Sequence, residues 1–334
     1  MSEYVQLPTP PDLDVVSSLQ FSNVDNQLSV ASWDQSLLLY DVTNTPRLLN
    51  TFKSETPILS INYGLNSNAT YLGGLDGSIR HIDYENMKIS TDNATRTSSE
   101  GISQGINNLK NIKNKDNLIV STSFDGTVQY IDTRIYKPVH TKTLDDKIFK
   151  IDTTSLNTVI GMANRKIEVY DIRNWDQPFQ IRESGLKYQI RDLKCFPNEQ
   201  GYALSSIDGR VSMEYFDNAP EVQAQKFAFK CHRQSNKQTK EDMVYPVNSL
   251  LFHPTGNTLF TAGSDGYVCL WNLERRRRMK QYQNLQQPVT FLDLNYNNQL
   301  LVLSTSDDNF KNKSDLATKL PSKSSKIWLK LKEN

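Results

Sequence analysis

The sequence predicts an all-β chain, a seven-bladed β-propeller, and three observations carry that prediction. An Asp-Gly-like turn followed by a short alternating strand recurs seven times along the 334 residues. The recurrences lie 39 to 57 residues apart, against about 40–45 for a blade of four strands. The composition is polar but rich in rings, 37% hydrophobic and 10% aromatic, as many short, half-exposed strands require.

The copies read WDQSLLLYD from Trp33, LDGSIRHID from Leu75, FDGTVQYID from Phe124, ANRKIEVYD from Ala163, IDGRVSMEY from Ile207 and SDGYVCLWN from Ser264. A seventh starts at Ser306-Asp307-Asp308 and reaches its strand, SKIWLK, only after a polar insertion. Asp-Gly supplies the positive φ of a tight hairpin, and the period-2 alternation around it marks the strands it joins. One stretch displays the whole unit. PVNSLLFH is an apolar inner strand, PTGN a turn and TLFTAG the second strand; Ser264-Asp265-Gly266, YVCLW and the outer strand MKQYQ follow. Four strands per unit and seven units define a WD-repeat propeller. The last blade lacks an obvious outer strand after Leu329, and Tyr4 to Leu7 is expected to supply it, removing an open sheet edge. The whole chain, 1–334, is expected to be one propeller with polar loop insertions near 234–243 and 309–324. Evenly repeated turn Asp residues are structural, and Tyr40, Tyr170 and Trp271 are expected to pack between blades. Trp33 differs because it sits in the turn before its strand.

A net charge of +1 argues against a nucleic-acid-binding domain, though not against a local patch. Cys195, Cys231 and Cys269 have no CxxC spacing, so neither a disulfide framework nor a cysteine-rich zinc site is expected, and a reducing compartment fits. The opening MSEYVQLPTPPDLD lacks a signal-peptide layout, and no stretch approaches the about 18 apolar residues of a membrane span. A soluble, intracellular protein with no membrane partner is expected. No phosphate-binding glycine loop, HExxH or GxSxG is present, and the four His fall in different repeats. No enzyme activity, cofactor or metal is expected.

Strand order sorts the turns between two faces. The turns from second to third strand share a face with the links entering each inner strand. Trp33 and Phe124 fall on it, as does Arg210 just after Gly209; Arg191, near the start of the fifth inner strand, belongs at the channel mouth. Lys187 and Tyr188 lie in the link entering that strand. KFAFKCHR is expected to be an outer strand delivering Lys230, His232 and Arg233 to the same face. Convergent cations beside planar rings suit an anionic peptide or a phosphate: Arg binds bidentately, Lys adds a point charge, and a phosphothreonine brings about 1.5 to 2 negative charges. The plain alternative is a solvated set of surface cations. On the opposite face, Arg275 to Arg278 are expected to form a hairpin tip of the sixth blade. That run reads as a solvated tip, a nuclear-localisation patch, or a contact for nucleic acid or acidic partners. QSNKQTKEDM and the segment from Lys311 to Lys326 are expected to be mobile loops.

ESGLKYQIRD, SSIDGRVSMEYFD, KFAFKCHR, YPVNSLLFHP and TAGSDG strongly resemble one branch of WD-repeat proteins. It holds the spindle-assembly-checkpoint propeller, the third of the budding-uninhibited-by-benzimidazole family, and its mRNA-export relative at the nuclear pore. SWDQSLLLYDV, EYFD and YPVN are similar to the checkpoint members. The resemblance covers essentially the whole chain and implies a kinetochore adaptor, nuclear and at kinetochores in mitosis. It implies binding of GLEBS segments from the checkpoint kinase and its Mad/BubR-type relative, with Trp33 and Arg191 at the tryptophan and arginine used there. It also implies reading of phosphorylated Met-Glu-Leu-Thr repeats of the kinetochore scaffold through Arg210 and Lys230, the latter Arg in some members. Phe124 stands where Trp often appears, and Asn107 and Asn108 depart from the usual apolar pattern, so the third blade is expected to pack differently. A monomeric propeller in hetero-complexes is expected, without direct nucleic acid. The rivals are an export propeller binding a nucleoporin GLEBS segment and a generic scaffold.

Overall fold

The computed structural model describes residues 3–90, 104–236, 238–239, 241–307 and 324–331. Seven four-stranded antiparallel sheets form around the repeat. The inner strands are Val16–Phe21, Ile58–Tyr63, Ile106–Ile112, Ile148–Thr153, Ile190–Cys195, Val247–Phe252 and Val289–Leu294, opening blades 1 to 7 in turn. Most of the turn Asp residues cap the turn. In blades 1, 2, 3 and 6 its Oδ1 accepts the N–H two residues on, from Ser36 at 2.8 Å, Ser78 at 3.2 Å, Thr127 at 2.8 Å and Tyr267 at 3.2 Å. The next residue takes a positive φ even where the repeat lacks its glycine, at 71° for Gln35 and 65° for Arg165.

Seven apolar clusters lie between adjacent blades. Tyr40 and Tyr170 are buried in two of them, and Trp271 packs on Phe229 with centroids 4.6 Å apart. Val5–Gln6 pairs with Lys326–Leu331 and becomes the outer strand of blade 7. Leu7 and Leu13 are buried with Ile327 and Leu329 at the same seam. On the channel side, side chains of one inner strand bind the backbone of the next. Asp293 accepts from Phe21 N at 2.7 Å, closing blade 7 on blade 1; Asp152 accepts from Cys195 N at 2.7 Å and Asp192 from Leu250 N at 2.8 Å.

Three expectations change. KFAFKCHR is not one strand: the outer strand of blade 5 is Phe227–Lys230, and Arg233–Asn236 pairs instead with Glu241–Val244 as a two-stranded ribbon. The break comes at His232, with φ 45°, whose ring turns into blade 6. The loop expected at 234–243 is therefore this ribbon. Arg277 and Arg278 belong to the outer strand Arg277–Gln281, so the sixth-blade turn ends at Arg276. The third blade has the same four strands as its neighbours, but its inner strand carries a second register shift, between Asn111 and Ile112, that the other inner strands lack. The insertion expected at 309–324 lies, but for Ser324, outside the described residues.

Candidate peptide-binding site

The first turn of every inner strand is irregular in the same way. A register shift follows its first residue in all seven blades. Such a bulge re-aims one side chain, here Ser17, Leu59, Asn107, Phe149, Arg191, Asn248 and Thr290. Several clasp the next blade: Asn107 Nδ2 donates to Ile148 O at 2.7 Å and Asn248 Nδ2 to Val289 O at 2.9 Å. Asn107 is thus a bulge residue, and Asn108 donates to Thr122 Oγ1 at 2.9 Å; polar character is what these two positions need. Arg191 occupies the bulge of blade 5, and its Nε donates to Asn248 Oδ1 at 3.0 Å. The neighbouring blade therefore positions the guanidinium at the channel mouth.

A second ring surrounds the first. The residue before each turn Asp donates its N–H to the carbonyl just ahead of its own inner strand: Trp33 to Val15 at 3.0 Å, Leu75 to Pro57 at 2.9 Å, Phe124 to Gly105 at 3.3 Å and Ile207 to Gln189 at 3.2 Å. These four side chains are 38% to 43% exposed, and Tyr188 in the link to blade 5 is 54% exposed. Lys187 is exposed beside it. These exposed side chains form an apolar rim around a polar mouth, the kind of patch that has the chemistry to contact another protein. Leu75 and Ile207 were not singled out from the sequence; the signal was their place before the anchor Asp.

Deeper in the channel, Lys110, Lys150 and Lys194 meet Asp192 and Asp293 around a cavity of about 110 Å³. The charge of Lys194, with burial, pulls Lys110 down to about 8. Burial works against Lys194, yet Asp192, Asp152 and Asp293 outweigh it and raise its pKa. Burial raises Asp293. Lys110 and Lys194 thus repel one another, and the aspartates oppose that repulsion.

The basic edge lies on blade 5. Arg210 and Lys230 are direct partners across paired strands, Phe227–Lys230 against Arg210–Tyr215. Two cations held opposite each other destabilise a sheet, so sheet pairing alone does not favour them. Asp208 Oδ2 lies 3.1 Å from Arg210 Nε but off the N–H direction, and the buried Nε atoms of both Arg210 and Arg233 have no hydrogen-bond partner. Arg233 reaches back from the ribbon: Nη1 is 3.2 Å from Asp242 Oδ2, and Nη2 donates to Gly209 O at 3.4 Å. Gly209 has φ 66°, and a Cβ there would meet Cys231 O at 2.7 Å. Glycine is thus required where the ribbon crosses the turn. Arg210, Lys230 and Arg233 converge at this point, while Arg191 belongs to the inner ring.

His232 leaves this cluster. Its Nδ1 lies 2.8 Å from Asp265 Oδ1 and its Nε2 2.8 Å from Thr261 Oγ1, and Trp271 Nε1 donates to that same hydroxyl at 3.0 Å. This buried network ties blade 5's exit to blade 6 and was not foreseen. Nor is Cys231 a reactive neighbour. All three thiols are buried and free, and burial raises their pKa values, Cys269 to about 11. Among the described residues no His, Cys, Asp and Glu cluster suits a metal ion. No helix among the described residues is long and apolar enough to cross a membrane.

Seven WD-type blades define a WD-repeat propeller, and one face of it carries a polar, cation-bearing channel mouth inside an apolar rim. Residues 239–272 match the WD domain, G-beta repeat. The chain is 36% identical over 293 residues to the spindle assembly checkpoint protein bub3 of Schizosaccharomyces pombe, spanning 87% of this chain and 88% of that one. It is 35% identical to mitotic checkpoint protein BUB3.1 of Arabidopsis thaliana, over 90% of this chain and 86% of the relative. Mitotic checkpoint protein bub-3 of Caenorhabditis elegans is 29% identical, over 90% and 87%. The chain belongs to the Bub3 family of mitotic spindle checkpoint propellers.

Proposed function

We propose that this propeller is a non-catalytic checkpoint adaptor with two recognition surfaces on one face. The channel-mouth rings, with Trp33, Phe124, Arg191, Lys187 and Tyr188, receive a GLEBS-type segment of the checkpoint kinase or its Mad/BubR-type relative. Leu75 and Ile207 extend that apolar rim. The blade 5 edge, with Arg210, Lys230 and Arg233, receives the phosphothreonine of a phosphorylated Met-Glu-Leu-Thr repeat on the kinetochore scaffold. The adaptor thereby carries kinase-type partners to kinetochores in the mitotic nucleus. The whole chain acts as one monomeric module within hetero-complexes, without nucleic acid or membrane.

The observation that carries the phosphate reading is the Arg210–Lys230 cross-strand pair, with Nε atoms on Arg210 and Arg233 that make no hydrogen bond, Arg210 Nε having only the ion pair with Asp208. A buried unsatisfied donor costs stability, and a phosphate offers three acceptor oxygens and the neutralising charge. If the bound segment also touches the phosphopeptide, the two binding events are coupled. The test is binding of phosphorylated and unphosphorylated Met-Glu-Leu-Thr peptides to the wild type and to Arg210→Ala. Equal affinity of the wild type for both peptides would sink the phosphate-reader role. For the channel mouth, Arg191→Glu is expected to lose the GLEBS partner on co-purification, and an undiminished yield contradicts the assignment.

A further inference from the structure

Blades 1 to 4 end their third strands in an aspartate, and these blades supply an internal control for blade 6. Asp41 pairs with Arg47 at 3.1 Å, Asp132 with Arg134 at 2.5 Å, and Asp171 with Arg173. Asp83 caps Asn86 instead. Hydrogen bonding from Arg134 and from Arg173 holds Asp132 and Asp171 at about 2. In blades 1, 3 and 4 the hairpin thus carries its own counter-ion for its arginine. In blade 6 the same position is Asn272. Its Oδ1 still caps the turn, accepting Arg275 N at 2.7 Å, but this position carries no charge; the one carboxylate left in the turn, the exposed Glu274, makes no ion pair among the described residues. Arg275 to Arg278 follow, all exposed. Among the described residues none of the four pairs with a carboxylate.

The tip is also anchored. Arg276 lies 4.4 Å from the centroid of Phe227 on blade 5, and Arg277 and Arg278 are paired in register with Asn272 and Trp271. An importer that needs an extended basic segment would have to open this hairpin, which argues against a linear nuclear-localisation signal here. A pre-positioned group of guanidinium forks, by contrast, suits carboxylates.

We propose that the blade 6 hairpin tip, on the face opposite the channel-mouth rings, docks an acidic protein segment. Glutamate- or aspartate-rich chain supplies the counter-charge that Asn272 withholds. Nucleic acid is the poorer fit. Its affinity grows with the number of phosphates neutralised along a track, and Arg47, Arg134 and Arg173 on other blades are already neutralised. Phe227 beside the tip is covered by Arg276 rather than open for base stacking.

The decisive variant is Asn272→Asp, which restores the carboxylate of blades 1 to 4 without removing any arginine. A fluorescein-labelled oligoglutamate peptide is titrated with the full chain at low ionic strength, beside oligothymidylate of equal length. The wild type is expected to bind the peptide in a salt-sensitive manner. Asn272→Asp is expected to weaken it about threefold, in the range of one surface ion pair, with an unchanged or higher urea midpoint. A double reversal, Arg275→Glu with Arg277→Glu, is expected to weaken it about tenfold or more. No peptide binding by the wild type, or binding untouched by the double reversal, overturns the proposal. Preference for oligothymidylate overturns its assignment to an acidic protein.

Discussion

Replacing Lys230 by Gln should make the protein more stable and worse at reading phosphate. Lys230 stands directly opposite Arg210 on the paired strand and is exposed, so Gln removes the charge while keeping a polar, though shorter, side chain. Directly opposed side chains on antiparallel strands contribute roughly 0.2–1 kcal/mol, unfavourably for like charges. Arg210 retains Asp208 at 3.1 Å. The expected gain is therefore about 0.5 kcal/mol, read as a higher urea midpoint with an unchanged slope. Binding should move the other way. A charge-assisted hydrogen bond contributes about 1.5–3 kcal/mol, equivalent to roughly 10- to 150-fold in affinity. Fluorescence polarisation should show that loss for the phosphorylated Met-Glu-Leu-Thr peptide and little change for the unphosphorylated one. A less stable variant would show that the lysine serves the sheet. Equal loss of both peptides would show that it does not read the phosphate. Either result refutes the reasoning.

Three further predictions concern the scaffold. Asp265→Ala removes the bond to His232 Nδ1 and the cap on Tyr267 N, and should cost about 2–3 kcal/mol in urea unfolding; a cost under about 0.5 kcal/mol would contradict a supporting role for the network. Asp76 is held at about 2: burial opposes ionisation, but hydrogen bonds from Arg80 and Ser78 outweigh it. Because its folded pKa is depressed, its contribution of about 2 kcal/mol is present above the unfolded value near 4 and is lost as pH falls toward 2. Asp76→Asn should lower stability at neutral pH and flatten that acid limb, and parallel pH profiles of the two proteins would count against it. Leu7→Ala should cost about 2–5 kcal/mol by opening a cavity at the blade 7–blade 1 seam where Leu7 is 1% exposed, and a midpoint equal to wild type would mean that the N-terminal strand does not hold the ring.

The chain's own periodicity determined the ring. Turn chemistry is local: an Asp that caps the N–H two residues on, followed by a residue at positive φ, needs no distant partner, so the turns at Asp76, Asp125 and Asp265 were legible one by one. Counting them predicted seven sheets and a last blade short of a strand, which Val5–Gln6 fills. Exposure of Trp33 and Phe124 was legible too, from their place before the turn. The remaining features depend on contacts between blades, which spacing along the chain does not encode. His232 was read as the tip of an outer strand because KFAFKCHR alternates correctly. It turns inward because Asp265 and Thr261, on blade 6, offer it two buried partners. The bulge that carries Arg191 to the channel mouth is a register shift, invisible without the neighbouring strand. The opposition of Arg210 and Lys230 is likewise a matter of pairing. Residue type and period are properties of one strand at a time, whereas charge balance and hydrogen-bond satisfaction belong to pairs that only the closed ring brings together.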